Sequence, residues 1–120
     1  MIVKLAWLGL ALIHLAPAFA GMIPGALVRL YGVSPDGPAL LLLQHRSALF
    51  LCVFIACVWC AFDAAPRPLG VAVAAISVMG FLAVYAMHGF PAGPLRTIAW
   101  ADAIAVPLLG VVAWAAFRSA

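Results

Sequence analysis

Charged residues are scarce in this chain of 120 residues, which holds six lysines and arginines and three aspartates, or 8% of its length. A soluble domain usually carries about 25% charged residues. Hydrophobic residues make up 69% of the chain, and its mean hydropathy is +1.28. So few charges cannot solvate the surface of a water-soluble protein of this length. The sequence therefore predicts a surface that faces lipid.

Several signatures of known chemistry are also missing. The basic residues form no run, and a net charge of +3 is too small for a nucleic-acid surface, so we expect membrane lipid and no nucleic acid as a partner. The chain has no glycine-rich phosphate loop, no nucleophile elbow and no Ser/His/Asp spacing. The sequence thus indicates no reaction class.

Four long apolar runs follow one another, each near the ~20 residues that a helix needs to cross a ~30 Å hydrocarbon core. Lipid offers no hydrogen-bond partner to backbone amides, so such runs form helices. The predicted helices cover residues 2–22, 39–62, 69–88 and 96–117. We predict an all-α fold, an integral membrane four-helix bundle that forms a single transmembrane domain over residues 1–120.

Proline- and glycine-rich breaks at residues 34–38, 63–68 and 89–94 separate the predicted helices. Tight loops favour antiparallel neighbours. Only the first connection is longer. Residues 23–33 mix apolar side chains with Arg29, which predicts either a short interfacial helix or a folded loop.

The first apolar run also resembles a signal peptide, with Lys4 near its start and an A-x-A pattern ending at Ala20. Cleavage between Ala20 and Gly21 would leave three helices. We expect the segment to be retained, because His14 is unusual in the apolar centre of a signal peptide.

Aromatic residues typical of membrane interfaces mark both ends of the predicted helices. Trp7, Trp59 and Trp114 fall toward the termini, and Tyr31 and Trp100 toward the first and third loops. Basic residues are nearly balanced between the two sides. Cytoplasmic loops of membrane proteins carry an excess of lysine and arginine. If Arg46 and Arg96 belong to a buried site, they are weaker indicators of orientation, and the remaining basic residues predict both termini in the cytoplasm.

Three adjacent polar residues, Gln44, His45 and Arg46, interrupt the second apolar run. If the helix began at these residues, only Ser47–Phe62 would remain, roughly 24 Å of helix, which is short for a bilayer. If it begins near Pro38, His45 lies about two turns inside. We favour the second interpretation.

Other polar residues fall in the same half of the predicted bundle, the half nearest the first and third loops. The full set of candidates for ligand binding or proton handling is His14, Gln44, His45, Arg46, His88, Arg96 and Asp102. A carboxylate within a membrane helix faces the bundle interior and needs a partner. Arg96 is six residues from Asp102 and points elsewhere on an ideal helix, so we predict that Asp102 pairs with Arg46. A purely structural network that fixes helix register is the alternative.

Cysteine and histidine spacing suggests no further site. Cys57 and Cys60 form a C-x-x-C inside a predicted helix with only Cys52 left to pass electrons onward, so we interpret them as ordinary buried residues. Three histidines and an aspartate could serve as metal ligands. The sequence has no H-x-x-H or H-E-x-x-H spacing, however, and we predict no metal site. Small residues four apart, such as Gly70 and Ala74, are typical of close helix packing.

The runs HRSALF (His45–Phe50), LYGVSPDGPALLLL before it and WADAIAV (Trp100–Val106) resemble small four-helix, DoxX-like proteins of the bacterial inner membrane. The resemblance covers nearly the whole chain. It implies that His45, Arg46 and Asp102 belong to a shared signature. It implies no reaction, although DoxX relatives are linked to quinone-coupled sulfur oxidation, which hints at a lipophilic partner. Some similar proteins are described as nucleotidyltransferases. We do not expect that activity here, because the sequence has no H-x-G-H motif and no α/β pattern.

Three functions fit these observations. The first, which we favour, is binding of a lipophilic or amphiphilic molecule, or service as an accessory membrane subunit. The second is proton-coupled transport, and the third is an enzyme acting on a lipid or quinone, with His14 or His45 as acid/base and Asp102 orienting it. No cofactor is predicted, with a quinone left open. A homo-oligomer or larger membrane complex is expected, since four short helices bury little among themselves.

Overall fold

The structure, a computed structural model, describes residues 1–118 without the side chain of Pro24. Within this range it is all-helical and contains no strand, which confirms the predicted all-α class. Its helices are α1 (Ile2–Ala20), α2 (Pro24–Tyr31), α3 (Pro38–Phe62), α4 (Arg67–Met87) and α5 (Pro94–Phe117). The ends of α1, α3, α4 and α5 lie close to the predicted ones. The predicted domain includes residues 119–120, which lie outside the described residues.

In the described part of the chain, α1, α3, α4 and α5 are the helices long and apolar enough to cross a membrane. They have 19, 25, 21 and 24 residues. At ~1.5 Å per residue their lengths are about 28–37 Å, which matches a ~30 Å hydrocarbon core.

The longer first connection contains the short helix α2, so of the two predicted alternatives the helix is observed. It ends at Gly32, which adopts a left-handed conformation (φ 65°) and donates its N–H to Val28 O at 2.9 Å. Glycine pays no steric penalty there. Because α3 begins at Pro38, His45 lies two turns inside it. This confirms the favoured interpretation, in which the second long helix begins before Gln44, His45 and Arg46.

The chain alternates direction, and α1 has extensive packing contacts with two of the other long helices. It contacts α3 and α5 along much of its length, and α4 packs against α5. The core contains Trp7 and Leu10 of α1, Val78 of α4 and Val112 of α5, all with essentially no exposed surface. In contrast α3 and α4 touch sparsely, although a tight turn joins them.

At that turn α3 and α4 approach closely through Gly70. A Cβ atom there would overlap Cys60 Sγ and lie 3.0 Å from Cη2 of Trp7. The expectation of close packing at Gly70 is therefore met. Trp7 corrects another expectation: it is fully buried rather than interfacial, because α1 lies between two neighbouring helices.

Of the other aromatic residues predicted at membrane interfaces, three are exposed and one is buried. Trp59, Trp100 and Trp114 are 62–63% exposed near the helix ends, as an interfacial position requires. Tyr31 is buried, because α2 folds against the bundle.

Candidate ligand-binding cleft

The sparse contact between α3 and α4 leaves a cleft of about 1200 Å³ between them. Ligand pockets usually enclose ~300–1000 Å³, so the space is large enough for a small molecule. Exposed lining residues such as Leu42 and Ile76 show that the cleft opens on the outer surface. Its apolar walls include Leu42, Leu43, Leu49, Phe50, Val53, Val73, Ile76, Phe81, Val84 and Leu95.

Helical spacing explains which residues line the cleft. Residues three or four apart share one face of a helix. Ser77, Phe81 and Tyr85 on α4 follow this spacing, as does His88 just after the helix end, and all four face the cleft. On α3, Arg46 belongs to the equivalent stripe, which runs from Leu42 to Val53.

Arg46 is the cation in the cleft wall, and it is half-buried among aromatic rings. Its Cζ atom lies 4.9 Å from the ring centroid of Phe50, 5.5 Å from that of Phe81 and 5.7 Å from that of Tyr31. Cation–π attraction acts at such distances, up to about 6 Å. Within residues 1–118 its guanidinium has neither a hydrogen-bond partner nor a carboxylate within 4.0 Å.

Asp102, the predicted partner of Arg46, is half-buried on α5. Among the described residues no Arg46–Asp102 N···O distance is 4.0 Å or less, so the predicted direct ion pair is not formed. The reason is geometric: α3 and α5 are not packing neighbours, because α1 and α4 lie between them. The two charges still act on each other over a longer distance.

Tyr31, at the end of α2, lies within reach of both charges. Burial raises the pKa of Tyr31; the positive charge of Arg46 opposes this and the negative charge of Asp102 adds to it. The phenol therefore stays protonated at neutral pH and is a potential hydrogen-bond donor beside Arg46.

His14 lies deeper in the bundle and is 1% exposed. Its Nδ1 is 2.8 Å from Leu10 O, and its Nε2 is 2.9 Å from Ser77 Oγ. A carbonyl only accepts, so the neutral ring carries its proton on Nδ1, and Nε2 accepts from the Ser77 hydroxyl. Asp102 thus does not orient His14, as one form of the enzyme hypothesis required, whereas the form with His45 as acid/base stays a prediction.

The seven predicted site residues do not form one cluster. Arg46 and His88 line the cleft, and His14 reaches its wall through Ser77. Gln44, His45 and Arg96 are exposed and do not line it. Consecutive residues on a helix point about 100° apart, so Gln44 and His45 cannot share the direction of Arg46. Whether they have a function stays a prediction.

The cleft residues that were not predicted as site residues include Tyr31, Ser77, Phe81 and Tyr85. Three of them lie four residues apart on α4, a spacing that places them on one face and was readable in the sequence. Tyr85 also donates its hydroxyl to Pro91 O at 2.6 Å, which fastens the loop between α4 and α5.

Cys57 and Cys60 are buried free thiols, as interpreted from the sequence, and Cys52 is exposed and lines the cleft. Residues 1–118 contain no group of three histidine, cysteine or acidic side chains placed to hold a metal ion. The polar groups that line the cleft are the guanidinium of Arg46, the hydroxyls of Tyr31, Ser77 and Tyr85, the thiol of Cys52 and the exposed imidazole of His88.

Comparison with known proteins shows no relative: no family model, no curated protein and no solved structure matches this chain.

Proposed function

We propose that this chain crosses a membrane four times and binds a lipophilic or amphiphilic small molecule in the cleft between α3 and α4, alone or as an accessory subunit of a larger assembly. The observation that carries the proposal is the position of Arg46, a cation without a carboxylate contact in an otherwise apolar cleft. The resemblance to DoxX-like proteins supports the bacterial inner membrane as the location. The distribution of basic residues, with Arg46 and Arg96 left out, favours both termini in the cytoplasm.

Membrane insertion is supported by the outer surface of the bundle. Large apolar side chains point outward from all four long helices, among them Leu12, Leu41, Ile76 and Ile104. A soluble monomer rarely exposes apolar patches of this extent.

The cations near the chain termini support the same placement. Lys4 Nζ lies 4.3 Å from the ring centroid of Phe62, and Arg118 Cζ lies 4.3 Å from that of Trp114. Long basic side chains and aromatic rings gather in this way at membrane interfaces. One end of the bundle is thereby suited to a lipid headgroup layer.

Ligand binding is supported by the chemistry of the cleft. An ionisable side chain within a membrane span is costly and usually marks a functional site. Binding pockets combine apolar walls with a few polar groups that orient the ligand. Arg46, Tyr31 and His88 supply such groups, and leucine, valine and phenylalanine supply the walls.

Co-purification tests this proposal. The protein is extracted in a mild detergent, and small molecules that remain bound are identified by mass spectrometry. Leu49→Trp places a large side chain in the cleft. Ile55→Trp on the same helix is its matched control: Leu49 and Ile55 are 54% and 53% exposed, but of the two only Leu49 lines the cleft.

We expect a defined molecule with the wild type and with Ile55→Trp, and its loss with Leu49→Trp. Equal recovery from both variants would show that the molecule sits elsewhere and would contradict the proposal.

A further inference from the structure

We propose that the ligand is a long-chain carboxylate whose head binds the Arg46 guanidinium and whose tail lies along the apolar walls toward Val53 and Val73. This inference rests on the proposed function and specifies the chemistry of the ligand.

Charge complementarity identifies the head. The rings of Tyr31, Phe50 and Phe81 surround the guanidinium but accept few hydrogen bonds, and a guanidinium has five N–H donors. Donors in an apolar setting need acceptors. A carboxylate matches the planar fork of arginine with two parallel hydrogen bonds.

The surrounding charges favour a head with a single negative charge. Arg46 is the cation that lines the cleft, and the Asp102 carboxylate lies close enough to act on both Arg46 and Tyr31. A doubly charged phosphate monoester would be repelled by Asp102 without a second cation to offset it. One carboxylate neutralises the charge of Arg46, and Asp102 repels it less strongly than it would repel a doubly charged head.

The walls beyond Arg46 suit an apolar tail. On α3, Val53 follows Arg46 by seven positions, about 10 Å along the helix axis. Leu49 and Ile76 flank this part of the cleft, and the open side lets a longer chain continue along the outer surface.

The test measures binding of radiolabelled hexadecanoate and of hexadecan-1-ol, its neutral match, by equilibrium dialysis of the purified full-length protein in neutral detergent. We expect the wild-type protein to bind hexadecanoate at least about tenfold more tightly than the alcohol, as a charged hydrogen-bonded pair requires. This comparison needs no variant and so does not depend on the folding of one.

Variants locate the interaction. Arg46→Gln is expected to lose at least about tenfold in hexadecanoate affinity and to keep its affinity for the alcohol. Arg96→Gln removes the same charge from an exposed position outside the cleft and should bind like the wild type. Asp102→Asn should bind hexadecanoate more tightly, because it removes a repulsive charge.

The outcomes separate the two proposals. Equal binding of acid and alcohol, or full binding by Arg46→Gln, would overturn the carboxylate head while leaving a lipophilic cleft. Binding of neither compound, with retention of an anionic phospholipid instead, would overturn the carboxylate and keep the cleft as a lipid site. A cleft that binds none of these and releases no molecule on extraction would contradict the proposed function itself.

Discussion

The imidazole of His14 and the hydroxyl of Ser77 join α1 to α4 through a hydrogen bond of 2.9 Å. These two helices are otherwise scarcely in contact, because α3 and α5 lie between them. The bond is therefore a polar cross-link through the middle of the bundle, and it also fixes one wall of the cleft, since Ser77 lines it.

Ser77→Ala is expected to destabilise the protein, because it leaves Nε2 of the buried His14 without a partner. Interhelical hydrogen bonds in membranes contribute about 0.6 kcal/mol on average and up to ~1.7 kcal/mol, and we expect the upper part of that range. Denaturant titration in detergent micelles measures the loss. Ser47→Ala is the matched control: Ser47 is 2% exposed, but its hydroxyl bonds Leu43 O on its own helix, so a smaller effect is expected. Equal losses would argue against the cross-link.

Gly70→Ala should destabilise the α3–α4 turn, because the added methyl group would overlap Cys60 Sγ and press on the Trp7 ring. Overpacking of this kind costs about 1–3 kcal/mol. Gly80→Ala on the same helix meets nothing within 4 Å and should be neutral or slightly stabilising. Thermal unfolding of the two variants gives the comparison, and an unchanged midpoint for Gly70→Ala would show that the helices are farther apart than described.

The pKa of Tyr31 reports the positions of Arg46 and Asp102. Asp102→Asn should lower this pKa, because the carboxylate charge raises it, and Arg46→Gln should raise it further. Arg96→Gln should leave it unchanged. Phenolate absorbance during alkaline titration measures the shift, with Tyr31→Phe identifying the signal that belongs to this residue. No response to either Asp102→Asn or Arg46→Gln would place both charges away from Tyr31.

The same raised pKa predicts a loss of stability at high pH. A group whose pKa is higher in the folded state stabilises the folded protein while it is protonated. The contribution of Tyr31 to stability is therefore complete below pH 10.0, the ordinary pKa of tyrosine, and is lost as the pH rises through the raised pKa of the folded state. Unfolding midpoints between neutral and strongly alkaline pH should fall less in Tyr31→Phe than in the wild type. An identical pH profile for both proteins would contradict this.

Tyr85→Phe should loosen the loop between α4 and α5, because it removes the hydroxyl donated to Pro91 O at 2.6 Å. The loop has three residues with positive φ, Gly89, Phe90 and Gly93, and depends on such contacts to hold its shape. A buried hydrogen bond contributes about 0.5–1.5 kcal/mol. Amide hydrogen exchange of Gly89, Phe90, Ala92 and Gly93 should accelerate in this variant and stay unchanged in Tyr31→Phe.

Much of the fold was readable from the sequence. Long apolar runs bounded by prolines and glycines located the four long helices, because length and helix-breaking residues determine where such helices end. The short helix α2 was anticipated as one of two alternatives. These features depend on local composition, which a single sequence displays.

The rotation of each helix was much harder to predict. The long helices are apolar nearly all round, so periodicity does not distinguish an inward from an outward face. Trp7 was consequently placed at an interface although it is buried. Gln44 and His45 were grouped with Arg46 because they are adjacent in sequence, whereas adjacency on a helix separates side chains. Ser77 was overlooked since its partner, His14, is 63 residues away.

The turn between α3 and α4 determines which side of the cleft is open. Arg67 Nε donates to Cys60 O at 2.9 Å, and Gly70 lies against Cys60, so the two helices are closed together where the turn joins them. The cleft between them is therefore closed at this end and opens on the outer surface of the bundle. We expect a ligand to enter and leave it from that outer side.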